Sequence, residues 1–393
     1  MSKCNYYVMH WKFQPSGIPM LETNLNTTLR IENGDRTATV TLTNDAITVA
    51  HKTLGTWKSA ARDQKKQFAE LKLKSNEYAR TIMASPINRH DNWTAYHAIY
   101  LPRMTYVLPT CYLLAKQLHD IKKRAIGATL CKGGFVSTFP PRVAFGPHKY
   151  GGIAMRPLRI EQLIQQVQMV LKHLRGPGEC HSLLRIMLAW AQLGTGMGFS
   201  LLASPEKAVP HLECKLTESI RSGLASIGAR IESEESFKSL PRRASDSHIM
   251  DGVVETKHFN KSQLNKINAC RLYMQATLVS DITTPCGRHI HPAYYKGKKS
   301  RRINWPTIQY PRQAKPDQPS WALWRKGLQL SLLRDDRKTM RIKLGAWKPA
   351  KPYHHLWKWN YTADGLVKQS PRNETIKQYK QQDMVRRQSL IQL

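Results

Sequence analysis

The feature that most constrains the fold is a helical spacing of apolar residues through the middle of the chain. Between about residues 157 and 174, apolar side chains recur every three or four positions and would share one side of a helix. The Gly-Pro-Gly sequence at 176–178 would end that helix. Similar spacing occurs in residues 68–82, 93–101, 118–125, 183–190, 212–227 and 264–278. A chain with this pattern is expected to fold mainly into packed helices.

Residues 1–55 differ from the rest of the chain in their pattern. Aromatic and β-branched residues dominate residues 6–9 and 37–42, which is typical of strands. The Asn-Gly-Asp sequence at 33–35 predicts a hairpin turn. The predicted fold class is therefore mainly α with a small N-terminal β element. A helical bundle would be followed by a second helical unit and a basic, tryptophan-rich C-terminal region.

Shifts in composition divide the chain into six predicted segments. They are a β segment at 1–55, a helical domain at 56–175, a helical connector at 176–230, a linker at 231–260, a basic tryptophan-rich region at 261–361 and a flexible tail at 362–393. The linker is predicted because the chain around Pro241 is polar and has few apolar residues. No internal sequence repeat is evident.

The charge of the chain predicts a polyanionic partner. There are 61 Lys and Arg residues against 27 Asp and Glu residues, a formal net charge of +34. Nucleic acid is the partner we expect, and an anionic membrane surface or an acidic protein is the alternative. No stretch of the sequence has the roughly 18 to 20 continuous apolar residues of a membrane span. The seven cysteines include no closely spaced pair, which favours reduced thiols in the nucleus or cytoplasm.

The C-terminal region interleaves cations with tryptophans. Lys and Arg side chains neutralise phosphates, and tryptophan rings stack on unpaired bases. The residues predicted to bind nucleic acid here are Lys298, Lys299, Arg301, Arg302, Trp305, Arg325, Lys326, Trp347, Trp357, Lys358 and Trp359. The alternative is that the tryptophans anchor the core of a small domain whose charges face solvent.

The sequence offers little support for catalysis or for a cofactor. Cys286, His289 and His291 are a weak candidate for a zinc site, with Cys270 as a possible fourth ligand, but the spacing favours a loop with incidental histidines. The Asp335-Asp336 pair lies among cations and is interpreted as a solvated helix end, because two-metal phosphoryl transfer needs several converging carboxylates. We therefore predict no catalytic residue and no required cofactor.

Several short motifs occur in an order that resembles the reverse transcriptases of LINE-like retrotransposons. They are S-K-C-N-Y-Y at 2–7, K-T-L-G at 52–55, Y-L-P at 100–102, Y-V-L-P at 106–109 and Y-G-G-I-A-M at 150–155. In that family such motifs follow the catalytic part of the palm and lead through the thumb into the connector. The resemblance covers residues 1–175 by motif and extends more loosely to 361.

The resemblance implies that residues 56–175 act as a thumb, which grips the primer–template duplex in its minor groove. The residues expected to make these contacts are Lys58, Arg62, Lys65, Lys66, Lys72, Lys74, Lys122, Lys123 and Arg124. The family's catalytic aspartates precede the first motif and have no counterpart here. The chain is thus expected to bind RNA, RNA–DNA hybrid or DNA without catalysing a reaction by itself. The parent polyprotein would be an RNA-directed DNA polymerase. The alternatives are a zinc-assisted nuclease and a nucleic-acid packaging protein.

Overall fold

The structure, a computed structural model, is mainly α with a small N-terminal β element, as the sequence predicted. It describes residues 48–61, 63–136, 138–232, 241–297 and 314–347, together with the backbone of seven short strands outside these ranges. The chain divides into two compact units, residues 1–12 with 20–173 and residues 13–19 with 174–393. In the described part of the chain, no helix is both long and apolar enough to cross a bilayer.

The strands are short and form small sheets. In chain order the strands are β1 His10–Phe13, β2 Pro19–Glu22, β3 Leu29–Asn33, β4 Arg36–Leu42, β5 His51–Thr53, β6 Thr56–Lys58, β7 Ile308–Gln309, β8 Lys358–Thr362 and β9 Gly365–Gln369. In the part of the chain that the structure describes, they form three two-stranded sheets, β1 with β2, β3 with β4 and β5 with β6, and one three-stranded sheet in the order β7, β8, β9. Strands β3 and β4 pair antiparallel from Leu29 with Leu42 to Asn33 with Arg36, as the predicted hairpin requires, and residues 34–35 of its turn lie outside the described residues. Strand β9 pairs with β8 and lies inside the predicted flexible tail, so at least these five residues are not a tail.

Among the described residues, six α-helices build the first unit. They are α1 Lys65–Ala84, α2 Arg89–Ala95, α3 Leu101–Thr105, α4 Ala115–Lys132, α5 Pro141–Ala144 and α6 Leu158–Arg175, with a π turn at Tyr96–Tyr100. The predicted apolar face of α1 is confirmed, because Leu71, Tyr78 and Ile82 are buried in the core of this unit. The N-cap of α2 is Asn88, whose side chain accepts a hydrogen bond from the amide of Asp91 at 2.9 Å.

Helices α1 and α4 run parallel and form the centre of the first unit. The Ser75 hydroxyl donates to the carbonyl of Ile121 at 2.6 Å, and the Tyr78 hydroxyl lies 3.4 Å from that of Thr129. Just before α1, the Gln64 side chain accepts a hydrogen bond from the amide of Tyr112 at 3.0 Å. These contacts appear in the same order along both helices. They therefore fix α1 and α4 to each other, and with them the side chains that the two helices present to solvent.

The second unit contains the remaining helices. They are α7 Glu179–Thr195, α8 Lys215–Ser226, α9 Ile249–Glu255, α10 Lys261–Tyr273, α11 Val279–Ile282, α12 Pro292–Lys296 and α13 Gln318–Ser331. The linker predicted at 231–260 is wrong for residues 241–260. Ile249, Met250 and Val253 on α9 are buried in the same apolar core as α10 and α13. Polar residues surround these three, which is why composition alone suggested a linker.

Two predicted helical faces were too wide. On α7, Leu184 and Leu188 are buried as predicted, but Leu183 and Trp190 are 51% and 44% exposed. On α8, the predicted face ended at Ile227, which follows the helix and is 55% exposed. A straight helix at the edge of a core buries only the centre of its apolar stripe. The stripe itself was identified correctly.

The second unit also contains an internal repeat that the sequence did not reveal. Residues 282–291 and 332–341, which we call the double hairpin, form two turns with equivalent hydrogen bonds at a spacing of 50 residues. The amide of Thr284 donates to the carbonyl of His289, and that of Arg334 donates to the carbonyl of Thr339, each at 2.9 Å. The two turns also pair with each other, His289 opposite Thr339. The backbone of the two turns repeats, whereas their side chains match only in part, which is why the sequence did not reveal the repeat.

Candidate nucleic-acid interface

Strand β6 places two predicted contact residues beside the start of α1. The amide of Trp57 donates to the side-chain oxygen of Gln67 at 2.7 Å, which ties the strand to the helix. The ammonium group of Lys66 lies 4.9 Å from the centre of the Trp57 ring, a cation–π contact that holds this lysine against the hairpin. Lys58, at the end of β6, is exposed. The hairpin thus extends the cationic surface of α1 toward the N-terminus.

Helix α1 carries most of its cations on one flank. Lys65, Lys66, Lys72 and Arg80 are all exposed. At about 100° per residue they fall within an arc of roughly 120°. We call these four residues the α1 basic stripe. Among the described residues, no acidic side chain of α1 lies within this arc. Asp63, which precedes the helix, contacts Lys65 at 3.6 Å, but that lysine side chain is 91% exposed, so the pair contributes little.

The side of α1 next to Lys66 is electrically mixed, because Glu77 and Glu70 lie about 20° and 40° beyond Lys66 around the helix. Lys74, a predicted contact residue, forms an ion pair with Glu70 at 3.3 Å, and only 21% of its side chain is exposed. Glu77 on the same flank faces Arg103 at 3.6 Å. A phosphate approaching this side would meet two carboxylates as well as two cations. Lys74 therefore stands apart from the basic stripe, whereas Arg80 belongs to it and was missed. The sequence could have indicated Arg80, because it lies eight residues after Lys72 and therefore on the same side of the helix.

The cations predicted on α4 do not form a single surface. Consecutive residues of a helix point about 100° apart, so Lys122, Lys123 and Arg124 diverge. Lys122 is partly buried, with its ammonium group 4.2 Å from the centre of the Phe145 ring, and burial lowers its pKa. Lys123 and Arg124 are exposed. The adjacency of the three residues in the sequence suggested a cluster that the helix separates.

Two of the sequence motifs meet in the structure. The K-T-L-G motif at 52–55 forms the turn between β5 and β6, where Leu54 and Gly55 have positive φ angles of 48° and 81°. The hydroxyl of Tyr106, from the Y-V-L-P motif, donates to the carbonyl of Leu54 at 3.0 Å. A Cβ at Gly55 would lie 3.1 Å from the Tyr106 ring. A glycine is therefore favoured at this turn both by its φ angle and by the close ring.

The C-terminal predicted residues are only partly described. Arg325 is half-buried on α13 and Lys326 is exposed there. Trp347 is 58% exposed, whereas Trp321 and Trp324 are 3% and 0% exposed and belong to the core. The interpretation as core anchors is confirmed for Trp321 and Trp324, and base stacking stays a prediction for the exposed Trp347. The predicted residues whose side chains lie outside the described part of the chain are Arg62, Lys298, Lys299, Arg301, Arg302, Trp305, Trp357, Lys358 and Trp359.

The candidate zinc ligands are not gathered around a common point. The Cys286 sulfur lies 3.8 Å from Nδ1 of His289, but Nδ1 of His291 accepts a hydrogen bond from the amide of Ala293 at the start of α12. Cys270 is completely buried in the apolar core of the second unit, and burial raises its pKa to about 12. Within the described residues, no three His, Cys, Asp or Glu side chains are placed to hold a metal ion.

The Asp335-Asp336 pair lies in the second turn of the double hairpin, not at a helix end. Helix α13 ends at Ser331. The Asp336 carboxylate accepts hydrogen bonds from the amides of Lys338 and Thr339 at 2.9 and 2.8 Å and from the Thr339 hydroxyl at 2.5 Å. These bonds, led by that of the hydroxyl, lower its pKa to about 2. Asp336 therefore stabilises a turn, and its carboxylate is already engaged.

Cys286 occupies the position in the first turn that Asp336 occupies in the second. Hydrogen bonds from the Thr284 hydroxyl, then from the amide of Arg288 and from the His289 ring, lower the pKa of its exposed thiol to about 6. We expect Cys286 to be alkylated by iodoacetamide at a rate that rises through pH 6 and levels off by about pH 8, because the thiolate is the reacting form. Peptide mapping by mass spectrometry would measure the rate.

A matched variant tests the cause of that reactivity. Thr284→Val removes the largest of the hydrogen bonds and should move the midpoint of the Cys286 rate profile to higher pH. Buried Cys111, whose pKa burial raises to about 11, should stay unmodified in the folded protein and serves as the internal control. A Cys286 profile that still rises steeply above pH 8 would contradict the prediction.

Comparison with known proteins gives no match: no protein-family model, no curated protein and no solved structure is similar to this chain. The resemblance to LINE-like reverse transcriptases therefore rests on the sequence motifs. It stays a prediction, and the function has to be argued from the residues of the two units.

Proposed function

We propose that this chain binds nucleic acid without base specificity, through contacts between its cations and the phosphates, and that it catalyses no reaction by itself. The observation that carries the proposal is the α1 basic stripe. Four exposed cations lie within an arc of roughly 120° on a long helix, and the two glutamates that border this arc already contact Lys74 and Arg103. An uncompensated row of this kind attracts a polyanion, and its contacts with phosphates release counterions.

A double-stranded ligand, and an RNA–DNA hybrid in particular, is the ligand we favour for this surface. Lys65 and Lys72 are seven residues apart, and Arg80 follows after eight more. With a rise of 1.5 Å per residue, the stripe is roughly 20 Å long, which matches several successive phosphates of a duplex. Lys58 and Lys66, held by the β5–β6 hairpin, extend it at one end.

The proposed parent is a LINE-like retrotransposon polyprotein, in which this chain would be the end of the palm, the thumb and the connector. The contact between Leu54 and Tyr106 supports this parentage, because it joins two motifs that the sequence places 52 residues apart. Within such a polyprotein, the stripe would hold the duplex that the polymerase extends. A location in the nucleus or cytoplasm is part of the same proposal.

Salt-dependent binding tests the function. The variant Lys66→Gln, Lys72→Gln, Arg80→Gln removes three cations of the stripe from the full chain. Fluorescence anisotropy with a labelled RNA–DNA hybrid should show binding weakened at least about tenfold at moderate salt. The slope of log K against log salt should become shallower by about 2 to 3, since each lost phosphate contact removes roughly 0.7 to 0.9.

The matched control removes three cations that already face carboxylates. Arg103, Arg230 and Lys261 lie 3.6, 2.8 and 3.9 Å from the oxygens of Glu77, Glu232 and Glu218. Their replacement by glutamine changes the net charge equally and should alter the slope much less. Equal effects in both triple variants would mean that only net charge matters and would refute an interface on α1.

Two further measurements with the same hybrid distinguish the alternative functions. A packaging protein would multimerise along its ligand, so sedimentation velocity with and without a long hybrid would show complexes of many chains. A nuclease would shorten the labelled hybrid in the presence of Zn²⁺. Our proposal expects an intact hybrid and complexes whose stoichiometry is set by the length of one binding site.

A further inference from the structure

The double hairpin presents cations around an approximate two-fold axis. The amide of Ile290 donates to the carbonyl of Lys338 at 2.9 Å, and that of Met340 donates to the carbonyl of Arg288 at 2.8 Å. Arg288 and Lys338 are therefore equivalent residues of the two turns, and both are exposed. Ile290 and Met340 are buried and fix this arrangement to the core. The backbone thus holds a cation from each turn close to the axis.

The second turn adds further cations and little uncompensated acid. Residues 332–347 contain five Lys and Arg residues and two Asp residues. Of these aspartates, Asp336 is engaged by the amides of its own turn. The side chains of Arg334, Arg337 and Lys343 are exposed. The outer surface of the double hairpin is therefore strongly cationic, although Asp335 is exposed within it.

A buried arginine joins this surface to an exposed tryptophan. The Arg243 guanidinium donates to the carbonyls of Pro285 and Gly345 at 3.1 and 2.9 Å, one beside each turn. It also lies 5.0 Å from the centre of the Trp347 ring. A guanidinium covers only one face of an indole, and Trp347 is 58% exposed. The ring is thus fixed in place by a cation with much of its surface open to solvent.

We propose that the double hairpin and Trp347 bind an unpaired nucleic-acid strand, with the cations contacting phosphates and Trp347 stacking on a base. Fixed rings beside a cationic surface recognise single strands, because every base offers a face for stacking once it is unpaired. Arg243 would make the second layer of the stack. The site rests on the proposed function for the nature of its ligand, but its residues all belong to the second unit.

The experiment compares a short oligothymidylate with an abasic deoxyribose phosphate of equal length, using the full chain and fluorescence anisotropy. Trp347→Leu should weaken binding of the oligothymidylate about 5- to 150-fold, the range for one stacked base, and leave the abasic strand unaffected. Trp347→Phe should keep part of the affinity. The variant Arg288→Gln, Arg334→Gln, Lys338→Gln should weaken both strands alike.

Trp190→Leu is the matched control, because Trp190 on α7 is 44% exposed and lies outside the double hairpin. It should bind both strands as the unaltered protein does. Hydrogen exchange of the α10 and α13 amides would verify that the Trp347→Leu variant is folded. A folded Trp347→Leu variant with unchanged affinity for oligothymidylate overturns the proposal. So does Trp347-dependent binding of polyglutamate equal to that of the oligothymidylate, which would identify an acidic protein as the partner.

The outcome is separable from that of the α1 basic stripe. Loss of hybrid binding in the stripe variant, combined with a Trp347→Leu variant that still binds single strands normally, would sustain the proposed function and refute the site at Trp347. The converse result would place the binding activity in the second unit alone.

Discussion

Replacement of Arg271 by methionine is expected to destabilise the second unit by about 3 kcal/mol. Arg271 is 1% exposed on α10, and its guanidinium joins α10 to the end of α7. It donates to the carbonyls of Leu193 and Gly194 at 2.8 and 2.9 Å and to the side chain of Asn268 at 2.8 Å. The carbonyls at the end of α7 have no partner within their own helix, so Arg271 supplies it, together with Asn268, whose side-chain nitrogen donates to the Gly194 carbonyl at 2.7 Å.

The size of the effect follows from two opposing contributions. Each buried acceptor left without a donor costs about 1 to 3 kcal/mol, and three or more are affected. Against this, desolvation disfavours the buried charge and lowers the pKa of Arg271 to about 10. Replacing the arginine removes this desolvation penalty and so offsets part of the destabilisation. The guanidinium also lies tightly against the residue that follows α7, because a Cβ at Gly196 would lie 2.6 Å from Cζ of Arg271.

Hydrogen exchange measured by mass spectrometry can resolve this loss, because it reports each unit separately. The slowest amides of α7 and α10 should exchange roughly 150-fold faster, the equivalent of about 3 kcal/mol. Peptides from α1 and α4 provide an internal reference. The matched variant Lys266→Met changes an exposed cation of α10 and should have an effect below about 0.5 kcal/mol. Equal protection in the Arg271→Met and Lys266→Met variants would disprove the anchoring role.

Replacement of Trp324 by alanine should destabilise the same unit by about 3 to 5 kcal/mol, the usual cost of emptying a large aromatic site. Trp324 is completely buried on α13, and its indole nitrogen donates to the carbonyl of Tyr294 at 3.0 Å. The variant therefore loses apolar contacts and leaves a carbonyl without its donor. This result would show that the basic C-terminal region contains a packed core.

Leu330→Ala on the same helix is the control, since that side chain is 36% exposed. Urea unfolding followed by tryptophan fluorescence and by exchange of the α9 and α10 amides would measure both variants. We expect a large shift of the midpoint for Trp324→Ala and a small one for Leu330→Ala. A Trp324→Ala variant with an unshifted midpoint would mean that this ring contributes nothing to the core.

The sequence predicted part of the candidate interface. It identified the cations of α1 because charge excess and helical spacing are both readable from residue order. It did not separate Lys74 from Lys72, because the pairing of Lys74 with Glu70 depends on which flank of the helix each residue occupies. Helical geometry applied at 100° per residue would have made that distinction and would have added Arg80 to the stripe.

Other features left no readable signal in the sequence. The two turns of the double hairpin match only in part: Arg288 corresponds to Lys338 and Ile290 to Met340, but Cys286 in one corresponds to Asp336 in the other. What they share is a hydrogen-bonding geometry that a thiolate and a carboxylate both satisfy. The buried Gln162 and Gln166 on α6 are similar cases, because they bind the backbone of Leu113 and Cys111. The sequence of a helix does not indicate which distant backbone group one of its polar side chains will bind.

The sequence by itself determined the helical class, the hairpin of β3 with β4 and the location of the charge excess. These depend on residues that are near one another in the chain, where periodicity and turn chemistry act directly. Only the tertiary structure decided that α9 belongs to a core, that Trp324 is buried while Trp347 is exposed, and that Arg243 joins the first turn of the double hairpin to the segment that follows the second. The reason is that burial and hydrogen bonding are properties of surfaces brought together by packing, and identical residue types acquire opposite roles according to what lies against them.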